Sequence, residues 1–319
     1  MNKMLVTGGA GFLGSHLVDR LMQLEEKVTV LDNLSSGRMT NIRRWVNNPN
    51  FTFIEADLKK PEDINKTLQE STRVFHFAAN PEVRVGETSP KVHLEENLMA
   101  TFNLLEAMRR SRRAETIVFA STSTVYGDAS TIPTPEDYGP LIPISTYGAT
   151  KLACEALIAS YTHTFNLNAL IIRLANIVGP RSNHGVIPDF IKKLKTNPKK
   201  LEILGDGKQN KSYLYVDDCI DAILHTTNRF IEDDDNVDVY NIGSTNQTTV
   251  RRIAEIVAQE MKLQNVEFTF TGGFRDGRGW KGDVRIMQLS VEKLTQTGWK
   301  PKLDSEQAIR IATRSLLRQ

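Results

Sequence analysis

Residues 145–151 read STYGATK and set a phenol, Tyr147, four residues ahead of an amine, Lys151. If the apolar stretch that follows, LACEALIASY, is helical, both side chains lie on one face, a turn apart, and their heads reach a common point. A phenol with pKa near 10 is a poor base at neutral pH, and a neighbouring ammonium favours its ionised form. Lowering that pKa by about three units is worth roughly 4 kcal/mol, a demand that one close cation and a positive cofactor can meet. The pair reads as a proton acceptor and its electrostatic tuner. A solvated tyrosine and a surface lysine would give the same bare pattern, so other motifs have to carry the assignment.

A second run, VTGGAGFLGSH, follows a β-branched strand and opens a helical pattern. It satisfies Gly-x-x-Gly-x-x-Gly at Gly8, Gly11 and Gly14, and Gly-x-Gly-x-x-Gly starting from Gly9. Glycines so spaced permit a tight turn and bring backbone against a pyrophosphate at the helix N-terminus. Asp32 closes the second strand 18 residues past Gly14, near where a carboxylate accepts from an adenosine ribose 2′-hydroxyl. A 2′-phosphate would be repelled there, so the expected cofactor is NAD rather than NADP, although Arg38 tempers the preference. No Gly-Lys-Ser/Thr ends the loop, which argues against an ATP site. Asp57 ends the third strand, where it either accepts from an adenine amino group or caps a turn. The run FHFAAN (75–80) ends the fourth strand in small residues that leave space for a flat cofactor, and His76 within it reads as a packed core histidine.

The elements that position these residues follow a simple rhythm. Strands are expected at 3–8, 27–32, 51–57, 73–79, 115–121 and 168–174, with helices near 12–25, 61–70, 89–110 and 148–165. Strand and helix in alternation, with near-continuous apolar strands, imply βαβ units and a parallel sheet covered on both faces. Past residue 175 the rhythm breaks into Gly- and Pro-rich loops, a helix at DFIKKLK, short strands at LEIL and YLYV, and a return to the sheet through 217–229 and VYNIG. The fold class expected is α/β: a Rossmann-type doubly wound parallel sheet with a smaller interleaved C-terminal substrate-binding lobe. Residues 1–175 with roughly 214–247 would form the dinucleotide-binding domain, and 176–213 with 248–319 the lobe. Asp217 reads as a helix N-cap, Cys154, Trp45 and Trp299 as packing residues, and 232–235 as a solvated acidic loop.

Bulk composition narrows the class. The 319 residues are 40% apolar and 24% charged, with a net charge of +2 and no basic run interleaved with aromatics, so nucleic acid is not an expected partner. Two cysteines, Cys154 and Cys219, make neither a disulfide framework nor a zinc cluster. No apolar run approaches the roughly 20 residues of a membrane helix, and the first residues enter a strand at once. The expectation is a soluble, cytoplasmic protein without metal or membrane contact.

In order, T-G-G-x-G-F-L-G, the strand-ending Asp32, FHFAA, STSTVYG and Tyr-x-x-x-Lys resemble the extended short-chain dehydrogenase/reductase family over nearly the whole chain. Within that family the sequence is most similar to nucleotide-sugar epimerases and dehydratases, above all the UDP-glucose (UDP-galactose) 4-epimerases. The resemblance implies oxidation of the C4 hydroxyl of a nucleotide-linked hexose, with Tyr147 as base and Lys151 on the nicotinamide ribose. Thr122 would be the hydroxyl that hydrogen-bonds the reacting oxygen, with Thr124 beside the sugar. Around NAD it implies Phe12, Leu13, Asn33, Asp57, Leu58, Phe77, Ala78, Ala79 and Asn97. In related 4,6-dehydratases Asp-Glu follows the hydroxyl residue, and in UDP-glucuronate decarboxylases a Glu usually stands second after it. Ser123 and Thr124 stand here, and neither protonates a leaving hydroxyl.

For the lobe, the resemblance implies a UDP-sugar site. RLANIVGPR would set Asn176 on a phosphate oxygen, and HGVIPDFI would set Gly185 and Val186 near the base or phosphate. GDGKQNKSYLYVDD departs from the family pattern in two places, Lys211 standing for a diphosphate-gripping Arg and Ser212 for Asp. In RGWKGD, Trp280 takes a usual Arg position, leaving Arg278 or Arg275 for the phosphates and Asp283 for ribose or a turn. A homodimer pairing through the helices near 89–110 and 148–165 is also implied. Uronic and N-acetylated UDP-hexoses remain alternative substrates, the first needing a cation such as Arg84 or Lys193 beside C5. A dinucleotide-sensing regulator on the same fold is the non-enzymatic alternative.

Overall fold

In the computed structural model, which describes residues 3–65, 67–68, 71–111, 113–233 and 235–319, seven parallel strands form the central sheet. Strand β1 (Lys3–Thr7) leads into α1 (Phe12–Gln23) and β2 (Lys27–Asp32), then β3 (Phe51–Glu55), α2 (Pro61–Asn65) and β4 (Arg73–His76). Next come α3 (Val85–Thr88), α4 (Pro90–His93), a π-helical turn (Leu94–Met99), α5 (Ala100–Ser111) and β5 (Thr116–Thr122). A 3-10 turn, Ser123–Tyr126, precedes α6 (Thr146–Phe165), β6 (Asn168–Leu174) and β7 (Asn176–Val178). The strand order β11-β6-β5-β4-β1-β2-β3, with β11 being Val237–Ile242, reverses between β1 and β4. In an open α/β sheet a ligand crevice lies beyond the strand C-termini at that reversal.

Burial explains the apolar strands. Leu5, Val6, Val30, Phe75, Val118 and Phe119 are fully buried because helices cover both faces. One face packs on α1 through Leu17 and Leu21 and on α8 (Val216–Glu232) through Ile220 and Ile223; the other packs on α5 and α6 through Leu104, Met108 and Ile158. A separate core joins α7 (Val186–Thr196), β8 (Lys200–Ile203), α9 (Val250–Glu260) and α11 (Ser305–Leu317) through Phe190, Leu201, Ile253 and Ile309. Three small sheets accompany it: β10 (Tyr213–Tyr215) on β7, β13 (Glu267–Phe270) on β8, and β9 (Asn210–Lys211) between β12 (Thr248–Thr249) and β14 (Ile286–Met287).

Several local expectations change. Strand β4 stops at His76 rather than 79, because beyond Phe77, whose N–H still reaches Thr7, the chain peels off toward Asn80. The single helix expected over 89–110 is broken into α4, the π-helical turn and α5, and Asn97 sits in that turn. The helix expected over 61–70 is α2 alone, with Lys66, Gln69 and Glu70 outside the described residues. Tyr215, not Asp217, caps α8; Asp217 lies exposed in the first turn, where its charge meets the positive end of the helix dipole. Asp234, in the acidic run, is also outside the described residues.

Candidate active site

The glycine turn sets one wall. Gly8 takes φ +68°, and a Cβ on Gly14 would stand 2.2 Å from the Gly8 carbonyl oxygen, so neither position tolerates a side chain. Gly11 caps α1 with no side-chain cap bond, leaving backbone N–H groups at the helix mouth facing the crevice. Asp32 lies at the end of β2, its carboxylate accepting from the N–H groups of Ala10 and Leu34 at 2.9 and 2.8 Å. Burial raises its pKa against those two bonds, and each oxygen keeps lone-pair capacity for a hydroxyl. A bare backbone cradle followed by a buried acceptor fits the pyrophosphate and ribose of a dinucleotide.

These residues open onto a cavity of about 500 Å³ that runs from the glycine turn to the second core. Phe12, Leu13, Asn33, Asp57 and Leu58 line its outer end, and Phe77, Ala78 and Ala79 its floor. Asp57 binds the Lys59 N–H and the Asn33 amide, which makes it a turn partner as well as a lining residue. Asn97 does not line the cavity. It is buried, with its amide oxygen accepting from the Asn80 N–H at 2.8 Å, so it holds the end of the cavity floor from behind.

At the inner end, α6 and the end of β5 converge. Ser145 caps α6 by accepting from the Gly148 N–H, and Tyr147 and Lys151 follow one turn apart on the face toward the cavity. The Thr122 hydroxyl bonds the Tyr147 phenol and accepts from the Thr124 N–H at 3.2 Å. The tuning expected of Lys151 is not what these surroundings produce: burial pushes Tyr147 up to about 12 and Lys151 down to about 8. Burial is the leading cause for both groups, and the ammonium donates to the Ala120 carbonyl at 2.6 Å and stands 4.4 Å from the Phe119 ring centre. One turn further on, Glu155 is paired with buried Arg173 at 2.8 Å and accepts from Ser121, which ties α6 to β5 and β6.

The opposite wall belongs to the lobe. Asn176, Gly185 and Val186 line it, Asn176 donating to the Ser212 carbonyl at 3.1 Å. Lys211 pairs with Asp283 at 2.5 Å and lies 5.6 Å from the Trp280 ring; all three border the cavity. Arg278 does not. Its guanidinium is engaged by Asp276, Asp128 and the Asp283 carbonyl, so it braces the loop from outside. Of the two cations considered for an acidic sugar, Arg84 lines the cavity, whereas Lys193 is held outside it by Asp189 and the Glu202 carbonyl. Gln209, Phe190 and the segment Pro81–Val83 also line the cavity and were not singled out from sequence. Gln209 stands inside the GDGKQ run that pointed to the lobe, but Pro81–Val83 carries no motif.

A doubly wound sheet with a dinucleotide cradle at its reversal, and a Tyr-Lys pair with a threonine hydroxyl beside it, define an extended short-chain dehydrogenase/reductase. The chain belongs to the NAD dependent epimerase/dehydratase family, whose family model matches residues 4–243. The crystal structure of a UDP-galactose 4-epimerase superposes with a TM-score of 0.89 at 45% identity, covering 99% of both chains. A Methanocaldococcus jannaschii protein described as a candidate UDP-glucose 4-epimerase is 34% identical over 312 residues, covering 96% of this chain and 95% of its own. UDP-glucuronic acid decarboxylase 4 of Arabidopsis thaliana is 31% identical over 316 residues, covering 96% and 67% respectively. The protein is thus an NAD-dependent enzyme of the nucleotide-sugar epimerase/dehydratase class. No helix among the described residues is long and apolar enough to cross a membrane.

Proposed function

We propose that the protein interconverts UDP-glucose and UDP-galactose by 4-epimerisation through a 4-keto sugar. The observation that carries this reading is the wall beside Tyr147: Thr122, Ser123 and Thr124 supply hydroxyls and no carboxylate. Elimination across C5 and C6 needs an acid and a base at that wall, whereas 4-epimerisation needs only a base. In this reading Tyr147 takes the C4 hydroxyl proton and later returns it, and Thr122 holds the reacting oxygen against the phenol. Lys151 binds the nicotinamide ribose. NAD+, when bound, supplies the hydride acceptor and donor and a positive charge that favours the phenolate. The glycine turn and Asp32 would hold its pyrophosphate and adenosine ribose; Lys211 and Asn176 would hold the substrate diphosphate, with Gly185 and Val186 beside the nucleotide.

A second substrate reading, a UDP-hexuronate 4-epimerase, is favoured by one observation: the Arg84 guanidinium lies on the cavity wall, where a carboxylate could meet it. We further infer a homodimer, because a shallow groove formed by the π-helical turn, α5 and α6 is lined by Leu98, Met99, Phe102, Ala153, Ala156 and Leu157, an apolar face that a second copy would cover.

The test is incubation of purified protein with UDP-galactose without added NAD, followed by NMR of the anomeric proton. Appearance of UDP-glucose supports the reading and shows a retained cofactor. No interconversion even with NAD supplied, together with turnover of UDP-glucuronate, would replace it with the second reading.

A further inference from the structure

Behind the cavity wall stands a histidine with no part in the chemistry just described. His93, at the end of α4, is fully buried, and it joins three pieces of the site. Its Nε2 lies 3.2 Å from the Glu82 carbonyl, in the Pro81–Val83 segment that lines the cavity. Its Nδ1 lies 3.0 Å from the hydroxyl of Thr146, the first residue of α6 and the neighbour of Tyr147. Its ring meets the Tyr147 ring edge-on, with centroids 5.6 Å apart and planes at 64°. Packing around it leaves no slack: a Cβ on Gly86 would stand 2.0 Å from the Thr146 hydroxyl oxygen and 3.2 Å from His93 Nδ1.

The partners fix the tautomer. A carbonyl oxygen only accepts, so Nε2 carries the proton and donates to Glu82. Nδ1 is then a lone pair, and the Thr146 hydroxyl donates to it. Burial lowers the pKa of this imidazole from its ordinary value, outweighing the carbonyl of Glu82 and the carboxylates of Glu96 and Glu82, so it is neutral at pH 7.

We propose that His93 is a positioning residue that locks the segment around Glu82 to the first turn of α6, so that the wall of the sugar pocket and the Tyr147 base are held in one geometry. The two hydrogen bonds have separable duties. The bond to Thr146, with the edge contact to Tyr147, sets the aim of the phenol and therefore kcat. The bond to Glu82 sets the wall and therefore KM. Small displacements of a reacting group can cost up to about 100-fold in rate, so the lock is a sizeable lever. The inference rests on Tyr147 being the base.

Three substitutions separate the bonds. His93→Phe keeps a ring beside Tyr147 and removes both. His93→Asn leaves an acceptor near the Nδ1 position, and His93→Gln leaves a donor near the Nε2 position. On NAD-loaded, folded protein, His93→Phe should lose roughly 10- to 100-fold in kcat and raise KM. His93→Asn, which restores the Thr146 bond without the ring, should recover part of the kcat loss, and His93→Gln should recover KM. Wild-type kcat and KM in His93→Phe with only a lower Tm would overturn the proposal, as would failure of both amides to restore anything. If the His93 variants do not fold, Thr146→Val leaves the histidine in place and should reproduce the kcat loss; an unchanged kcat there refutes the lock. A readout independent of turnover is the imidazole 15N spectrum of the wild type. It should show the Nε2–H tautomer, and a dominant Nδ1–H form overturns the proposal even if no nucleotide sugar is turned over. Absence of turnover in the wild type itself counts against the epimerase reading instead.

Discussion

At the residue scale, burial outweighs the charge of Lys151 in setting the state of the Tyr147 phenol. Four residues of separation put both on one face of α6, but the ammonium is drawn to the Ala120 carbonyl and burial leaves the phenol protonated at neutral pH. In the proposed reaction the phenolate therefore depends on charge brought by the bound cofactor. Tyr147→Phe should keep NAD through gel filtration and lose kcat by about 100- to 10,000-fold, the range for a general base. Near-normal turnover would remove the assignment. Lys211 gives a second handle: its single ammonium is shared between Asp283 and the cavity, where a guanidinium could fork to both. Lys211→Arg should tighten UDP about 3- to 10-fold by calorimetry. An unchanged Kd would place position 211 outside the diphosphate contact. The residues legible in the sequence, such as Gly8, Gly14 and Asp32, work through local backbone or a strand end. Asn97 and Arg278 lie off the cavity lining because their partners, Asn80 and Asp128, are set by the fold and not by spacing.

At the element scale, the alternation of apolar strands and amphipathic helices was enough to read the parallel sheet, because two-sided burial writes itself into β1, β4 and β5 as unbroken apolar runs. The break between α4 and α5 was not readable. A π-helical turn adds one residue to a helical period without altering composition, and here it coincides with Asn97 gripping the cavity floor. The same stretch carries the exposed face of Met99 (44% exposed) and Phe102 (37%), which adjoins Ala153 and Leu157 of α6. Apolar side chains this open favour a second copy over water. Light scattering should give about twice the 35.9 kDa chain mass, and Phe102→Asp should give the single-chain mass with NAD still bound. A wild-type monomer would refute the dimer, and a dimer that ignores Phe102→Asp would move the interface elsewhere.

At the scale of the whole molecule, the sheet is sensitive to acid through one imidazole. His76 ends β4 at the centre of the sheet and is fully buried between Thr7 of β1 and Thr101 of α5. Thr101 donates its own proton to the Asn97 carbonyl, so it accepts from His76 Nε2–H, and Nδ1 accepts from the Thr7 hydroxyl. Burial, with the nearby charge of Lys151, lowers the pKa from 6.5 to about 3. Because the folded pKa is depressed, the unfolded chain binds a proton below pH 6.5 that the folded chain refuses. The stability this neutral histidine confers is thus complete above 6.5 and is lost progressively as pH falls toward about 3. At about 1.36 kcal/mol per pH unit, going from pH 7 to 4.5 should remove roughly 3 kcal/mol through His76 alone. His76→Gln offers hydrogen-bonding groups to the same hydroxyls and cannot titrate. Urea unfolding of both proteins at pH 7 and 4.5 isolates the term, since every other titrating group is common to the two. The wild type should lose roughly 3 kcal/mol more than the variant over that interval. Equal losses would mean that His76 takes up its proton within the folded sheet, and that the core at the cofactor floor opens before the rest of the molecule unfolds.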